Sequence, residues 1–198
     1  DLGSTESDDN VAIGYQAMHG AIVAEAVNDC VAIGSLALSG ALDSSDGEDE
    51  ASGTVAIGKS ALASLTDGAS NLSIGYKAGQ YVTTGGSNTF IGYETAQNSD
   101  TTAITGSYNT TLGYWAGLNM KGACANNTLL GSRAGDSVTT AERNTFVGSI
   151  AAQGGNGNDG VAIGYNSMNG TATATGTVAV GSNALTALTS GAKNIAIG

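Results

Sequence analysis

A glycine preceded by a branched aliphatic residue recurs eleven times along this 198-residue chain. The glycines are Gly14, Gly34, Gly58, Gly75, Gly92, Gly113, Gly131, Gly148, Gly164, Gly181 and Gly198, at intervals of 20, 24, 17, 17, 21, 18, 17, 16, 17 and 17 residues. Their predecessors are Ile13, Ile33, Ile57, Ile74, Ile91, Leu112, Leu130, Val147, Ile163, Val180 and Ile197. Four positions before the glycine stands Asn in seven copies: Asn10, Asn71, Asn88, Asn109, Asn127, Asn144 and Asn194. Three positions after it stands a small residue, usually Ala, in all ten complete copies. The unit reads N-[VT]-x-[IL]-G-[YS]-x-A-x, followed by a variable Gly/Ser/Thr/Asn turn.

Val, Ile and Thr favour extended backbone, and alternate residues of a strand face opposite ways. Val11 and Ile13 therefore share one face, and Ala12 and Gly14 the other. Scored as a helix, the same unit would carry a glycine in mid-pattern, costing about 1 kcal/mol each time. Its period is also short for a helical repeat. One unit holds too few bulky apolar groups to offset about 1–2 kcal/mol of backbone ordering per residue. It must stack on its own copies, so the fold class is all-β, a β-solenoid of about eleven short repeats. At ~4.8 Å per rung the rod is about 50 Å long. The Ile/Leu/Val column is expected to fill the interior, and the Ala/Gly face to permit close approach of neighbouring chains. One repeat domain spans 1–198, with long acidic insertions at 19–29 and 39–53. No capping unit appears, and the last residues open another unit, so the rod is expected to continue beyond 198.

Charge and composition remove whole classes of function. The net charge is −11, with 6 basic and 17 acidic residues. Eleven of the acids lie in residues 1–50, which contain no Lys or Arg. Six scattered basic residues do not make a nucleic-acid groove. No apolar run reaches the 18–20 residues of a membrane span, the best being Cys30–Leu42. His19 is the only histidine and no acid pair sits on the rungs, so no enzyme activity is expected. Cys30 and Cys124 lie five rungs apart, about 24 Å at the rung spacing, too far for a disulfide. They are expected to be free thiols, which suits assembly in a reducing compartment.

Asn10-Val-Ala-Ile-Gly14, Thr54-Val-Ala-Ile-Gly58 and Asn194-Ile-Ala-Ile-Gly198 resemble the repeats of YadA-like heads of trimeric autotransporter adhesins. Asn88-Thr-Phe-Ile-Gly-Tyr93, Asn109-Thr-Thr-Leu-Gly-Tyr-Trp-Ala-Gly117 and Asn127-Thr-Leu-Leu-Gly-Ser-Arg-Ala-Gly135 resemble the NTxLGYxAG repeats of bacteriophage tail fibres. Both resemblances imply a left-handed β-roll, three chains packed about an axis, and a structural or adhesive role. Cys30, Thr54, Gly160 and Thr177 depart from the Asn of the pattern. Phe90, Leu129 and Phe146 replace the small residue two before the glycine.

Several motifs suggest chemistry, and each has a plainer reading. Gly53-Thr-Val-Ala-Ile-Gly58-Lys59-Ser60 satisfies the P-loop pattern, but its middle is an apolar strand repeated elsewhere. Gly154–Ala162 fits a single calcium nonapeptide, a site that needs tandem copies. The acid run at 43–50 misses EF-hand spacing and is expected to be a solvated loop or at most a weak divalent-cation site; no other cofactor or metal is expected. Asn ladders along the stack are the expected role of the Asn column. Thr89, Thr110, Thr128 and Thr145 form a further column, of the kind ice-binding solenoids carry. Tyr76, Tyr93 and Tyr114 follow the glycine in three successive units, with Trp115 adjacent. They form either a structural ladder or a receptor or glycan contact.

The expected protein is thus a non-enzymatic fibre segment of a virion, in a phage tail fibre, that spaces or presents a receptor-binding surface. Its partners would be two further copies of itself, adjoining fibre domains and a cell-surface receptor or glycan. The alternative is the head of a bacterial cell-surface adhesin that binds host matrix or cells. An ion- or ligand-binding solenoid is a third reading.

Overall fold

The computed structural model describes residues 9–20, 27–42, 51–98, 100–154, 157–170 and 174–198. The described residues form eleven strands of three residues each: β1 (Val11–Ile13), β2 (Val31–Ile33), β3 (Val55–Ile57), β4 (Leu72–Ile74), β5 (Thr89–Ile91), β6 (Thr110–Leu112), β7 (Thr128–Leu130), β8 (Thr145–Val147), β9 (Val161–Ile163), β10 (Val178–Val180) and β11 (Ile195–Ile197). They form one parallel sheet in sequence order. The register is the repeat itself, with Ile57 opposite Ile74, Ile74 opposite Ile91 and Phe90 opposite Thr111. No helix occurs among the described residues. The architecture is a parallel β-solenoid of about ten turns.

Each rung turns at its glycine. Gly75 has φ +139, and a Cβ there would lie 2.2 Å from the carbonyl oxygen of Gly92 in the next rung. No side chain fits, so the position admits glycine alone. The two residues that follow form a turn closed by a hydrogen bond from the small residue to the glycine carbonyl, as from Ala61 N to Gly58 O at 3.2 Å. Its third residue has left-handed backbone, as in Lys77 (φ 54), Trp115 (φ 57) and Arg133 (φ 57). Two further left-handed positions recur, one before the Asn column (Ser70, Ser87, Tyr108, Asn126) and one four after the glycine (Leu38, Leu62, Ala96, Ala152). These sharp bends, mostly at residues other than glycine, wind the chain back over itself.

The winding puts the middle residue of β2 to β10 inside. Ala32, Ala56, Ser73, Phe90, Thr111, Leu129, Phe146, Ala162 and Ala179 are all buried. The expected interior column lies on the other face. Ile13 (58%), Leu112 (49%), Ile163 (39%) and Ile197 (78%) are exposed on the single chain. Ile33, Ile57, Ile74, Ile91, Leu130, Val147 and Val180 are half-buried. The assignment of faces is therefore reversed: Ala lines the interior and the isoleucine column the outside. The reason is cross-section. A rung this tight leaves room beside the strand for a small residue if a large one comes from the opposite wall.

That opposite wall is supplied six residues after the strand centre. Where the strand offers Ala32, Ala56 or Ala162, the wall offers Leu38, Leu62 or Met168, all buried. Where the strand offers Phe90 or Phe146, the wall offers Ala96 or Ala152; opposite Leu129 stands Gly135. A Cβ on Gly135 would come within 3.0 Å of Leu129 and 3.1 Å of Phe146. Large and small residues thus exchange walls from rung to rung and keep the packing dense. Leu65, Val82, Ile104, Met120 and Val138 complete the core.

Candidate binding surface

A buried amide ladder fixes the rungs beneath the surface. Asn71 Oδ1 accepts from Asn88 N at 2.9 Å, Asn88 Oδ1 from Asn109 N at 2.9 Å, and Asn109 Oδ1 from Asn127 N at 3.1 Å. Asn127 Oδ1 accepts from Asn144 N at 3.1 Å, and Asn144 Oδ1 from Gly160 N at 2.8 Å. The amide nitrogens donate sideways, Asn109 Nδ2 to Cys124 O and Asn127 Nδ2 to Ala141 O, both at 2.9 Å. The Asn column is structural and holds the strand of each rung to the loop of the next. Where Thr177 replaces Asn, its buried hydroxyl has no partner. Cys30, another replacement, turns its thiol to Ala51 O at 3.0 Å.

Both cysteines are free and buried. Burial pushes the Cys124 thiol up to about 12 and raises that of Cys30, which disfavours the thiolate at both. The P-loop pattern falls across β3. Val55 N donates to Asn71 O and Gly58 N to Ile33 O, so these amides are committed to the sheet and do not cradle a phosphate. No cluster of three or more metal-ligating side chains occurs among the described residues. The acid run at 43–50 and part of the calcium-like nonapeptide (155–156) lie outside the described residues. Among the described residues, no helix is long and apolar enough to cross a membrane. Asp136, buried, accepts from Arg133, Ser137 and Gln153, tying three positions of two neighbouring rungs.

Two features face outward. The first is the sheet's outer face. Thr89, Thr110, Thr128 and Thr145 stand half-buried in one register column, and half-buried Ile91, Leu130 and Val147 with exposed Leu112 stand in the next. The threonines alternate with aliphatic residues, making a face of methyl groups more than a hydroxyl array.

The second is aromatic. The corner glycine delivers the next residue to the rim of the sheet, so residues that share the offset stack rung upon rung. Tyr76 and Tyr93 stack with ring centroids 5.2 Å apart, and Tyr93 and Tyr114 at 5.6 Å. Trp115 stacks on Tyr114 at 4.6 Å. Lys77 Nζ lies 5.4 Å from the Tyr76 centroid and Arg133 Cζ 5.7 Å from that of Trp115. The indole is held by Trp115 Nε1, which donates to Glu94 Oε2 at 2.9 Å. The four aromatic residues singled out in the sequence therefore form one stack, with a cation at each end. Lys77, Glu94 and Arg133 were not singled out. Their signal was the shared offset, two residues after a repeat glycine, the same as that of Trp115.

Comparison with known protein families, with curated proteins and with solved structures finds no match to this chain.

Proposed function

We propose that the chain is a non-enzymatic structural and adhesive fibre segment, one of three copies packed about an axis as left-handed β-rolls. In this reading it belongs to a phage tail fibre on the virion and spaces or presents a receptor-binding surface. The observation that supports it is the outer face of the sheet. Parallel sheets are ordinarily covered on both faces. Here one face covers the solenoid core, while the other carries Ile91, Leu112, Leu130 and Val147 in unbroken register. A second copy has the same rung spacing, so its columns meet these at the same pitch along the rod. The buried, unpaired Cys30 and Cys124 fit assembly in a reducing cell interior.

The alternative reading is the head of a bacterial surface adhesin, favoured by the Val-Ala-Ile-Gly rungs of β1 to β3 and β9. Light scattering tests the shared architecture. A mass near three times the 19.3 kDa chain is expected, and a stable monomer would overturn it. The complete gene separates the owners. A C-terminal chaperone or attachment domain marks a phage fibre, and a signal peptide with a membrane anchor marks an adhesin.

A further inference from the structure

The rings of the aromatic stack turn faces toward one another. Tyr93 lies between Tyr76 and Tyr114, and the two ends are closed by Lys77 and Arg133. A sugar that recognises aromatic residues by lying flat on a ring finds no place here. What the stack offers is its outer edge: Tyr93 is 47% and Tyr114 45% exposed. An aromatic edge carries the positive side of the ring quadrupole. Each of Tyr76, Tyr93 and Tyr114 brings a phenol, a group that both donates and accepts, to this stack. Desolvation, then the charge of Glu94, raises the Tyr93 phenol above its usual value.

Charge points the same way. Lys59 precedes Tyr76 in the same column, one rung earlier, where its carbonyl accepts from Lys77 N at 2.9 Å. Lys59, Lys77 and Arg133 are three of only six basic residues in a chain of net charge −11, and they share one stripe. Glu94 of the same stripe accepts from Trp115 and keeps its charge, and Asp136 is paired with Arg133, so the uncommitted positive charge of the stripe is that of Lys59 and Lys77. Neither Lys59 nor Lys77 is in an ion pair among the described residues.

We propose that this edge, running from Lys59 past the tyrosines to Arg133, binds an extended acidic polysaccharide that lies along the rod with one sugar unit facing each rung. The rungs recur at about the length of one pyranose unit. Acid groups meet Lys59 and Lys77, with Arg133, paired to Asp136, at the far end, and ring oxygens and hydroxyls meet the phenols. The inference rests on the attachment reading above and names its ligand class.

Titration calorimetry on the assembled protein tests it, with oligogalacturonate and dextran sulfate oligosaccharides as acidic probes and maltodextrin as a neutral one. An acidic probe is expected to bind, to weaken as salt is raised, and to gain affinity with length up to about five units, one per ~4.8 Å rung. Lys59→Gln with Lys77→Gln is expected to weaken binding about tenfold. Tyr93→Phe, which keeps the stack and removes one donor, is expected to weaken it severalfold. Lys193→Gln, far along the rod, is expected to change nothing. Equal binding of maltodextrin, absence of binding by both acidic probes at low salt, or unchanged affinity in the double variant would each overturn the proposal. Cell attachment by the intact protein that acidic oligosaccharides do not compete would overturn the ligand class and leave the attachment reading standing. A chain that is monomeric and attaches to no cell would instead overturn the attachment reading itself.

Discussion

At the scale of single residues, two columns carry the fold. The corner glycines from Gly14 to Gly181 have neither space nor dihedral freedom for another residue. Gly75→Ala is expected to cost roughly 3 kcal/mol, since it combines left-handed strain with a clash against the Gly92 carbonyl. The shift of the urea midpoint measures this, and an unchanged midpoint would mean that the corner opens more easily than its geometry implies. The Asn column is a second such constraint. Asn127→Ala strips one acceptor, Asn127 Oδ1, from Asn144 N and Nδ2 and a donor from Ala141 O in a buried setting, at an expected cost of about 2–4 kcal/mol. The converse change is also testable. Thr177 has a buried, unpartnered hydroxyl at an Asn position, so Thr177→Asn is expected to gain about 1 kcal/mol by extending the ladder toward Asn194. A lower melting temperature for this variant would show that position 177 lacks room for the amide.

At the scale of the rung, the interior is a contract between two walls six residues apart. Phe90→Ala alone leaves a cavity and is expected to cost about 3–5 kcal/mol. Adding Ala96→Leu converts the rung to the Ala/Leu pairing already present at Ala32/Leu38 and Ala56/Leu62. The double variant is expected to recover more than half of the loss, a coupling that a double-mutant cycle reads directly. Strict additivity would show that the two positions do not share one space. This complementarity was legible in the sequence, as Ala with Leu or Met six residues later, and Phe or Leu with Ala or Gly. It is invisible to a search for one residue type per column, because the large side chain stands on either wall; in the Ser73/Gly79 and Thr111/Gly117 rungs both are small, and Phe90 and Leu62 or Met120 and Leu129 fill the space. The aromatic stack was legible as well, through the common offset after the glycine. That its ring faces are closed by one another and by Lys77 and Arg133 was not, because stacking depends on the rung-to-rung path of the backbone.

At the scale of the whole molecule, neighbouring rungs are tied on the outside by ion pairs that cross between them. Asp100 is paired with Lys121 at 2.7 Å and Asp159 with Arg143 at 2.6 Å. Hydrogen bonding to Lys121 and to Arg143, respectively, holds both carboxyls below the usual carboxylate range. A depressed carboxylate contributes stability above its unfolded pKa, near 4, and loses it as pH falls through the folded value. The melting temperature is therefore expected to be flat from neutral pH to about 5 and to fall below about 4. A decline that begins at pH 6 would place its origin elsewhere. Cys30 and Cys124 report the integrity of the rod. With their thiols buried and raised by burial, neither is expected to react with a maleimide at pH 7.5 until the chain unfolds.

The sequence by itself determined the period, the corner positions, the in-register stacking of like on like, and hence the parallel solenoid. These follow from local chemistry: a glycine that no other residue replaces, β-branched residues before it, and a unit too small to bury itself. It did not determine which face of the strand is inside. A three-residue strand has two faces by alternation alone, and burial of the bulkier column is the natural assignment. The tertiary structure decided otherwise, because the left-handed turns after each glycine carry the chain over the side of the strand's middle residue. Ala32 and Ala56 are enclosed by Leu38 and Leu62, while Ile33 and Ile57 are left on the outside. The direction of that turn is set by backbone dihedrals at residues such as Lys77 and Trp115, which side-chain type does not announce.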